Sequence, residues 1–112
     1  MENINSTVIA GNLVADAKCP KEGVLSFTVA TTTRVKVNEE WQDRPSYIDC
    51  VMFGKRADAI KDLMKKGKKV ICSGKLYQNR WEKDGKTQSR VELRIDNIEI
   101  PSDKSNDVPF EY

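Results

Sequence analysis

At 112 residues, 32% charged and 38% hydrophobic, the chain is long enough for one domain with a modest core and has no apolar run approaching the ~20 residues of a membrane span. With no histidine, and with three cysteines that form no C-x-x-C spacing, it lacks the commonest general base and gives no sign of a disulfide framework or a zinc site. The net charge of +2 divides into a basic body, residues 1–100 with 18 Lys/Arg against 14 Asp/Glu, and an acidic tail, residues 101–112 with Lys104 against Asp103, Asp107 and Glu111, so the body is expected to meet an anionic partner.

The opening residues Met1-Glu2-Asn3-Ile4-Asn5 lack the basic and apolar regions of a signal peptide, which predicts a cytoplasmic protein. Residues 6–13 predict a first strand, with Gly11 as a bulge or a close backbone approach. Residues 14–23 hold Asp16, Pro20 and Gly23 and predict a loop, to which Lys18 and Lys21 add positive charge. Residues 24–33 predict a second strand, Leu25, Phe27 and Val29 alternating against Ser26, Thr28 and Ala30. The polar stretch 34–45 reads as a projecting hairpin arm whose lone Trp41 either caps the core edge or stacks on a mobile ligand.

Residues 46–55, Ser-Tyr-Ile-Asp-Cys-Val-Met-Phe-Gly-Lys, alternate as a third strand. Ile48, Cys50 and Met52 share one face and suit a core, while Tyr47, Asp49, Val51 and Phe53 share the other. A carboxylate between two aromatics does not suit a core, so Tyr47 and Phe53 are expected on a working face. After Gly54 the period lengthens to about 3.6 residues. Ala57, Ile60, Leu63 and Met64 predict the buried stripe of a short helix over residues 56–66, with Lys65 and Lys66 at its C-terminal end and Gly67 as its stop. The run Lys65-Lys66-Gly67-Lys68-Lys69 is either a phosphate contact or ordinary charged surface.

Residues 70–76 predict a fourth strand that runs on as a ribbon through Tyr77 and Trp81 to Asp84-Gly85, the strongest hairpin signal in the chain. The return strand over residues 86–95 is expected to turn Val91, Leu93 and Ile95 inward and Arg90, Glu92 and Arg94 outward. Ile98 and Ile100 fall out of phase with Ile95, which predicts a bulge near Asp96-Asn97. The tail beyond Pro101 is too poor in apolar residues to pack and is expected to be disordered. Five strands with one short helix between the third and fourth predict an all-β class: an OB-fold, a five-stranded Greek-key barrel with projecting hairpin arms.

No catalytic constellation is present: without histidine neither a Ser–His nor a Cys–His pair exists, and no phosphate-binding glycine loop occurs, so neither an enzyme nor a cofactor is expected. What remains is an interleaving of aromatics with cations. Tyr47, Phe53, Tyr77 and Trp81 lie among Arg34, Lys36, Lys55, Arg56, Lys75, Arg80, Lys83, Arg90 and Arg94. Single-stranded nucleic acid requires this combination, because its bases stack on rings and its phosphates track a positive groove. Taken singly, Phe53 and Tyr77 also suit core packing.

Ile9-Ala10-Gly11-Asn12-Leu13, Phe27-Thr28-Val29-Ala30-Thr31, the strand from Tyr47 to Phe53-Gly54-Lys55, the stretch from Leu63 to Gly67, and Gly74-Lys75-Leu76 followed by Arg80-Trp81 together resemble the bacterial single-stranded DNA-binding protein (SSB) family, in one register over residues 4–100. The resemblance implies that Tyr47, Phe53 and Trp81 stand at base-stacking positions, and that the chain serves DNA replication, recombination and repair as a homotetramer wrapped by DNA. It also implies that Asp107, Val108, Pro109 and Phe110 form a docking peptide for replication and repair proteins. Val35 stands where the family often carries a further stacking tryptophan, a place Trp41 would have to fill. Glu111 and Tyr112 follow the Phe110 at which the family's tip normally ends, and with the short linker they suggest a phage, plasmid or specialised paralogue. Two other functions fit the same residues: an RNA-binding or primosomal OB module, and an interaction adaptor that works through its tail.

Overall fold

The computed structural model describes residues 3–101. The acidic tail, including residues 107–110, lies outside the described residues.

One strand closes the barrel. β1 (Thr7–Leu13) runs antiparallel to β5 (Lys69–Lys83), from Thr7 opposite Gly74 to Asn12 opposite Lys69. Its end also pairs with β3 (Val24–Val37), Asn12 opposite Ala30 and Leu13 opposite Val29. The sheet order β1-β5-β6-β4-β3 therefore returns to β1, with β4 spanning Glu40–Phe53 and β6 spanning Lys86–Glu99. Gly11 permits this closure, because a Cβ there would collide with the Ala30 carbonyl. The close approach expected of Gly11 is present.

The ring follows from the alternation along its strands. Leu25, Phe27 and Val29 of β3, Cys50 and Met52 of β4, Val70 and Cys72 of β5, and Leu93, Ile95 and Ile98 of β6 are buried. β4 meets β6 in parallel, Cys50 opposite Leu93 and Val51 opposite Arg94, the one parallel pairing among the described residues. The register of β5 and β6 shifts between Ser73 and Gly74 and leaves Asp96 unpaired, which is the bulge expected near Asp96-Asn97. It keeps Ile95 and Ile98 both buried despite their odd spacing.

Four expectations are corrected: the loop over residues 14–23, the extent of the helix, and the inward facing of Leu63 and of Val91. The stretch over residues 14–23 is not all loop: β2 (Lys18–Lys21) pairs with the outer edge of β3, Lys18 opposite Ser26 and Lys21 opposite Val24. It is a short edge strand carrying Pro20 and two lysines, a composition that discourages further pairing.

The helix is also shorter than expected. α1 (Lys55–Ile60) passes into a 3₁₀ turn over Lys61–Leu63, so Lys65 and Lys66 do not sit at a helix end. Leu63 is exposed while Ala57, Ile60 and Met64 are buried. The cause is a competing set of partners. Ala17 N–H donates to the Met64 carbonyl, Gly67 N–H to the Leu13 carbonyl, and Lys66 N–H to Asp16. Backbone groups held by the loop after β1 cannot continue a helix.

Val91, expected inward, is exposed, because it lies on the part of the β5–β6 hairpin that extends past the core. The arm over residues 34–45 is the distal part of a regular β3–β4 hairpin, paired as far as Val37 opposite Glu40. Its turn places Asn38 and Glu39 at positive φ (51° and 66°) without a glycine. Asp84 and Gly85 make the second turn as expected.

Candidate nucleic-acid interface

Residues paired across antiparallel strands share a face, so the register assigns the outer surface. Phe53 pairs with Val24, Asp49 with Thr28, Tyr47 with Ala30, Asp43 with Arg34 and Trp41 with Lys36. The parallel contact of Val51 with Arg94 carries that face onto β6, and the β5–β6 ladder carries it further: Arg94 with Lys75, Glu92 with Tyr77, Arg90 with Asn79, Gln88 with Trp81, Lys86 with Lys83. One continuous face thus holds Trp41, Tyr47, Phe53, Tyr77 and Trp81 together with Arg34, Lys36, Lys75, Lys83, Arg90 and Arg94. Arg80 pairs with Ser89 on the reverse side of the ribbon, where it bonds Gln78, and is not brought to this face.

All five rings are accessible. Trp41 is 61% exposed, Tyr47 64%, Phe53 54%, Trp81 45% and Tyr77 43%, although aromatic area is normally the first to be buried. Trp41 therefore does not cap the core edge. Tyr77 stands among the interleaved aromatics but not at a stacking position that the resemblance implies. Its spacing of four from Trp81, which places both on one side of a strand, was the available signal.

The cations fall into two groups. Several are held in place by neighbours: the Arg90 guanidinium reaches Asp49 Oδ2 at 2.7 and 2.8 Å, Arg34 lies 3.6 Å from Asp43, Lys75 3.8 Å from Asp96, and Arg94 Nε 3.4 Å from Glu92. Thr28 Oγ1 donates to the other oxygen of Asp49 at 2.9 Å, so that half-buried carboxylate is fully engaged. Lys36, Lys55 and Lys83 are exposed, and among the described residues no ion pair holds them. Lys55 opens α1 just beyond Phe53, and Arg56 turns its guanidinium to the Ile98 carbonyl at 3.0 Å, tying α1 to β6. Guanidinium groups also face rings: Arg34 over Trp41 at 5.8 Å, Arg94 over Phe53 at 5.7 Å and over Tyr77 at 4.2 Å.

Cys50 and Cys72 are buried free thiols, and Cys19 is exposed. A hydrogen bond with Cys72, and then burial, push the Cys50 thiol far above its ordinary value, which makes it a packing group. Among the described residues no group of three or more Cys, Asp or Glu side chains is placed to hold a metal.

Residues 4–101 match the single-strand binding protein family. The chain belongs to that family. It is 38% identical, over 99% of its own length and 78% of the relative's, to a single-stranded DNA-binding protein of Borreliella burgdorferi. It is 33% identical to one of Treponema pallidum, over 89% of this chain and 59% of that protein, so it spans a little over half of the longer relative. Among solved structures it resembles an SSB of Plasmodium falciparum in complex with ssDNA, with a TM-score of 0.79, 14% identity and coverage of 91% of this chain and 98% of that one. A deletion mutant of the single-stranded DNA binding protein from Thermus aquaticus gives a TM-score of 0.78 at 23% identity, over 91% of this chain and 52% of that one. These structural likenesses support the OB-fold barrel.

Proposed function

We propose that the chain binds single-stranded DNA with little sequence preference, and that it serves replication, recombination and repair in the cytoplasm without a catalytic step. The observation that carries this reading is the single outer face on which five exposed rings alternate with lysines and arginines. Lys and Arg capture the phosphates and release counterions, and Trp81, Phe53, Tyr47, Tyr77 and Trp41 offer surfaces to bases of any identity. The names of the family and of its relatives agree with it.

The test is a titration of oligo-dT against tryptophan fluorescence at several salt concentrations. Quenching is expected, with a log–log salt slope of about −0.7 per phosphate neutralised. Trp81→Ala is expected to weaken binding by ~1–3 kcal/mol. Absence of both quenching and salt dependence overturns the reading. Tighter binding of a matched RNA oligomer in direct competition would favour the RNA-binding module instead.

The same proposal includes self-association, in keeping with the tetramer expected from the family. Its support is the outer surface of β1 and β5, where Val8 and Ile71 are exposed beside a cleft of about 290 Å³ whose lining mixes Ala10, Ala30 and Ile71 with Asn12, Thr32 and Lys69. Light scattering reads the mass directly, and a monomer at all concentrations removes this part. The residues 107–110 would dock replication or repair proteins. Deleting residues 101–112 is expected to leave DNA binding intact, whereas a loss of binding would move the activity to the tail.

A further inference from the structure

The outer face carries one recess that the stacking rings do not explain. A cleft of about 260 Å³ is bordered by Ser26 and Thr28 of β3, by Val14, Asp16 and Lys18, and by Arg90 of β6. The register places it on the aromatic face, since Ser26 stands opposite Val51 and Lys18, and Thr28 opposite Asp49. Asp49 and Val51 are the residues of that face between Tyr47 and Phe53, so the cleft lies one strand to the side of the gap between those rings. Its walls are fixed. Val14 N–H donates to the Thr28 carbonyl (3.1 Å), Ala17 N–H to the Met64 carbonyl (2.8 Å) and Lys66 N–H to Asp16 Oδ1 (2.8 Å), while Arg90 and Thr28 are both held on Asp49.

The same bonds leave defined groups for a ligand. Asp16 gives one carboxylate oxygen to the Lys66 N–H and has a second to present, an acceptor that cannot donate. Arg90 spends Nε and one Nη on Asp49 and keeps its other Nη as a donor. The Ser26 hydroxyl and the Lys18 ammonium, both exposed, add donors. A base edge with an amine beside ring acceptors answers this set. Cytosine has that edge, and carboxylates accept from its exocyclic amine, whereas thymine puts a carbonyl in the same place, against the carboxylate. Pockets for drug-sized ligands begin at ~300 Å³, so a slightly smaller cleft suits a single base.

We propose that this cleft takes one unstacked base of the bound DNA by its edge and prefers cytosine to thymine there, with Asp16 accepting from the exocyclic amine and Arg90, Ser26 and Lys18 donating to the ring acceptors. It is a modest selectivity at one position of a path that is otherwise indifferent to sequence. The inference rests on the function proposed above and adds a specificity-determining residue, Asp16, to it. A single contact open to solvent stands at the low end of what a base-edge pair discriminates, about fivefold.

The experiment compares oligo-dC with oligo-dT by fluorescence titration in the wild type and in Asp16→Asn. The two oligomers also differ in stacking and stiffness, and removing a negative charge strengthens both, but these effects cancel in the change of the affinity ratio between the two proteins. The amide oxygen can keep the Lys66 N–H, which turns the amide donor toward the cleft, and a thermal melt confirms the fold. The affinity ratio of oligo-dC to oligo-dT is expected to be about fivefold lower in the variant. An unchanged ratio overturns the pocket, as does one shifted toward oligo-dC. Oligo-dC with both amine hydrogens replaced by methyl groups asks the same question without a variant. The wild type is expected to bind it about fivefold more weakly than oligo-dC. Equal binding overturns the proposal, and so does an equal loss in Asp16→Asn, which would mean bulk alone. The quenching and salt slope of the wild type on oligo-dT test the proposed function, and the affinity ratio tests this inference, so the two fail separately.

Discussion

The Arg94 guanidinium lies 4.2 Å from the centroid of the Tyr77 ring and reaches the Phe53 ring at 5.7 Å. A planar cation next to two rings from different strands occupies the kind of place a stacked base would take. Such a contact contributes ~0.5–1 kcal/mol at an exposed site, against ~1–3 kcal/mol for a stacked base, so a strand can displace the arginine toward its own phosphates. Tyr77→Ala is therefore expected to weaken oligo-dT binding about 5- to 150-fold, the equivalent of ~1–3 kcal/mol, whereas Tyr77→Phe leaves it unchanged. Fluorescence titration checks both, and a full-strength Tyr77→Ala would remove this ring from the site.

Asp49 is the carboxylate between Tyr47 and Phe53 on β4, and it accepts from Arg90 and Thr28. Its pair with Arg90 is more than one-third exposed on the arginine side, so its contribution to stability is small. Its influence on DNA is larger, since one unit charge at ~4 Å from a phosphate costs ~1 kcal/mol in water. Asp49→Asn keeps the shape, removes the repulsion and releases Arg90. Oligo-dT is expected to bind about fivefold more tightly at low salt, with a steeper salt slope. Weaker binding would show instead that Asp49 is needed to aim Arg90.

Much of this face was readable in the sequence because strand period and turn chemistry are local. The alternation at residues 46–55 placed Tyr47 and Phe53 opposite Cys50 and Met52, and Asp84-Gly85 set the pairing of Lys83 with Lys86, hence of Tyr77 with Glu92. What was missed depends on distant partners. The contact of Arg94 with Phe53 needs the parallel pairing of β4 and β6, which no local pattern announces. The early end of α1 is decided by the loop after β1, and the exposure of Val91 by how far the hairpin runs past the core. Arg80 follows an aromatic-and-cation composition but lies on the wrong side of its ribbon, a parity that the single step from Trp81 already contained.

Gly74 sits at the bulge, where an added Cβ would collide with the Arg94 carbonyl. Both atoms are backbone-fixed, so the strain has no side chain to absorb it. Gly74→Ala is expected to destabilise the fold by ~1–3 kcal/mol and to disturb Arg94. Gly11→Ala, against the Ala30 carbonyl, is expected to do the same at the barrel closure. Urea midpoints measure the stability, and oligo-dT binding separates them: under conditions where both variants are folded, Gly74→Ala should also weaken binding, while Gly11→Ala should not. Wild-type midpoints for both would contradict the close approaches.

The three cysteines give the last prediction its sign. Cys50 is held neutral by its hydrogen bond with Cys72 and by burial, while the same bond lowers Cys72 against the raising effect of its own burial. In the unfolded chain a thiol ionises near pH ~8.5. Above that pH the unfolded state has lost a proton that the native state keeps, so unfolding becomes more favourable as pH rises. The stabilisation is fully present below pH ~8.5 and declines above it by up to ~1.4 kcal/mol per pH unit. The urea midpoint is expected to fall between pH ~8.5 and ~10. Because Cys50→Ala would leave Cys72 buried without the bond that lowers it, the double variant Cys50→Ala/Cys72→Ala is the one expected to flatten that fall, after an initial loss from the missing sulfurs. The same burial predicts one rapidly reacting thiol in the native protein, Cys19, and three in denaturant. Rapid reaction of all three in the native state, or an equally steep pH dependence in the double variant, would show that the pH dependence does not come from buried Cys50 and Cys72.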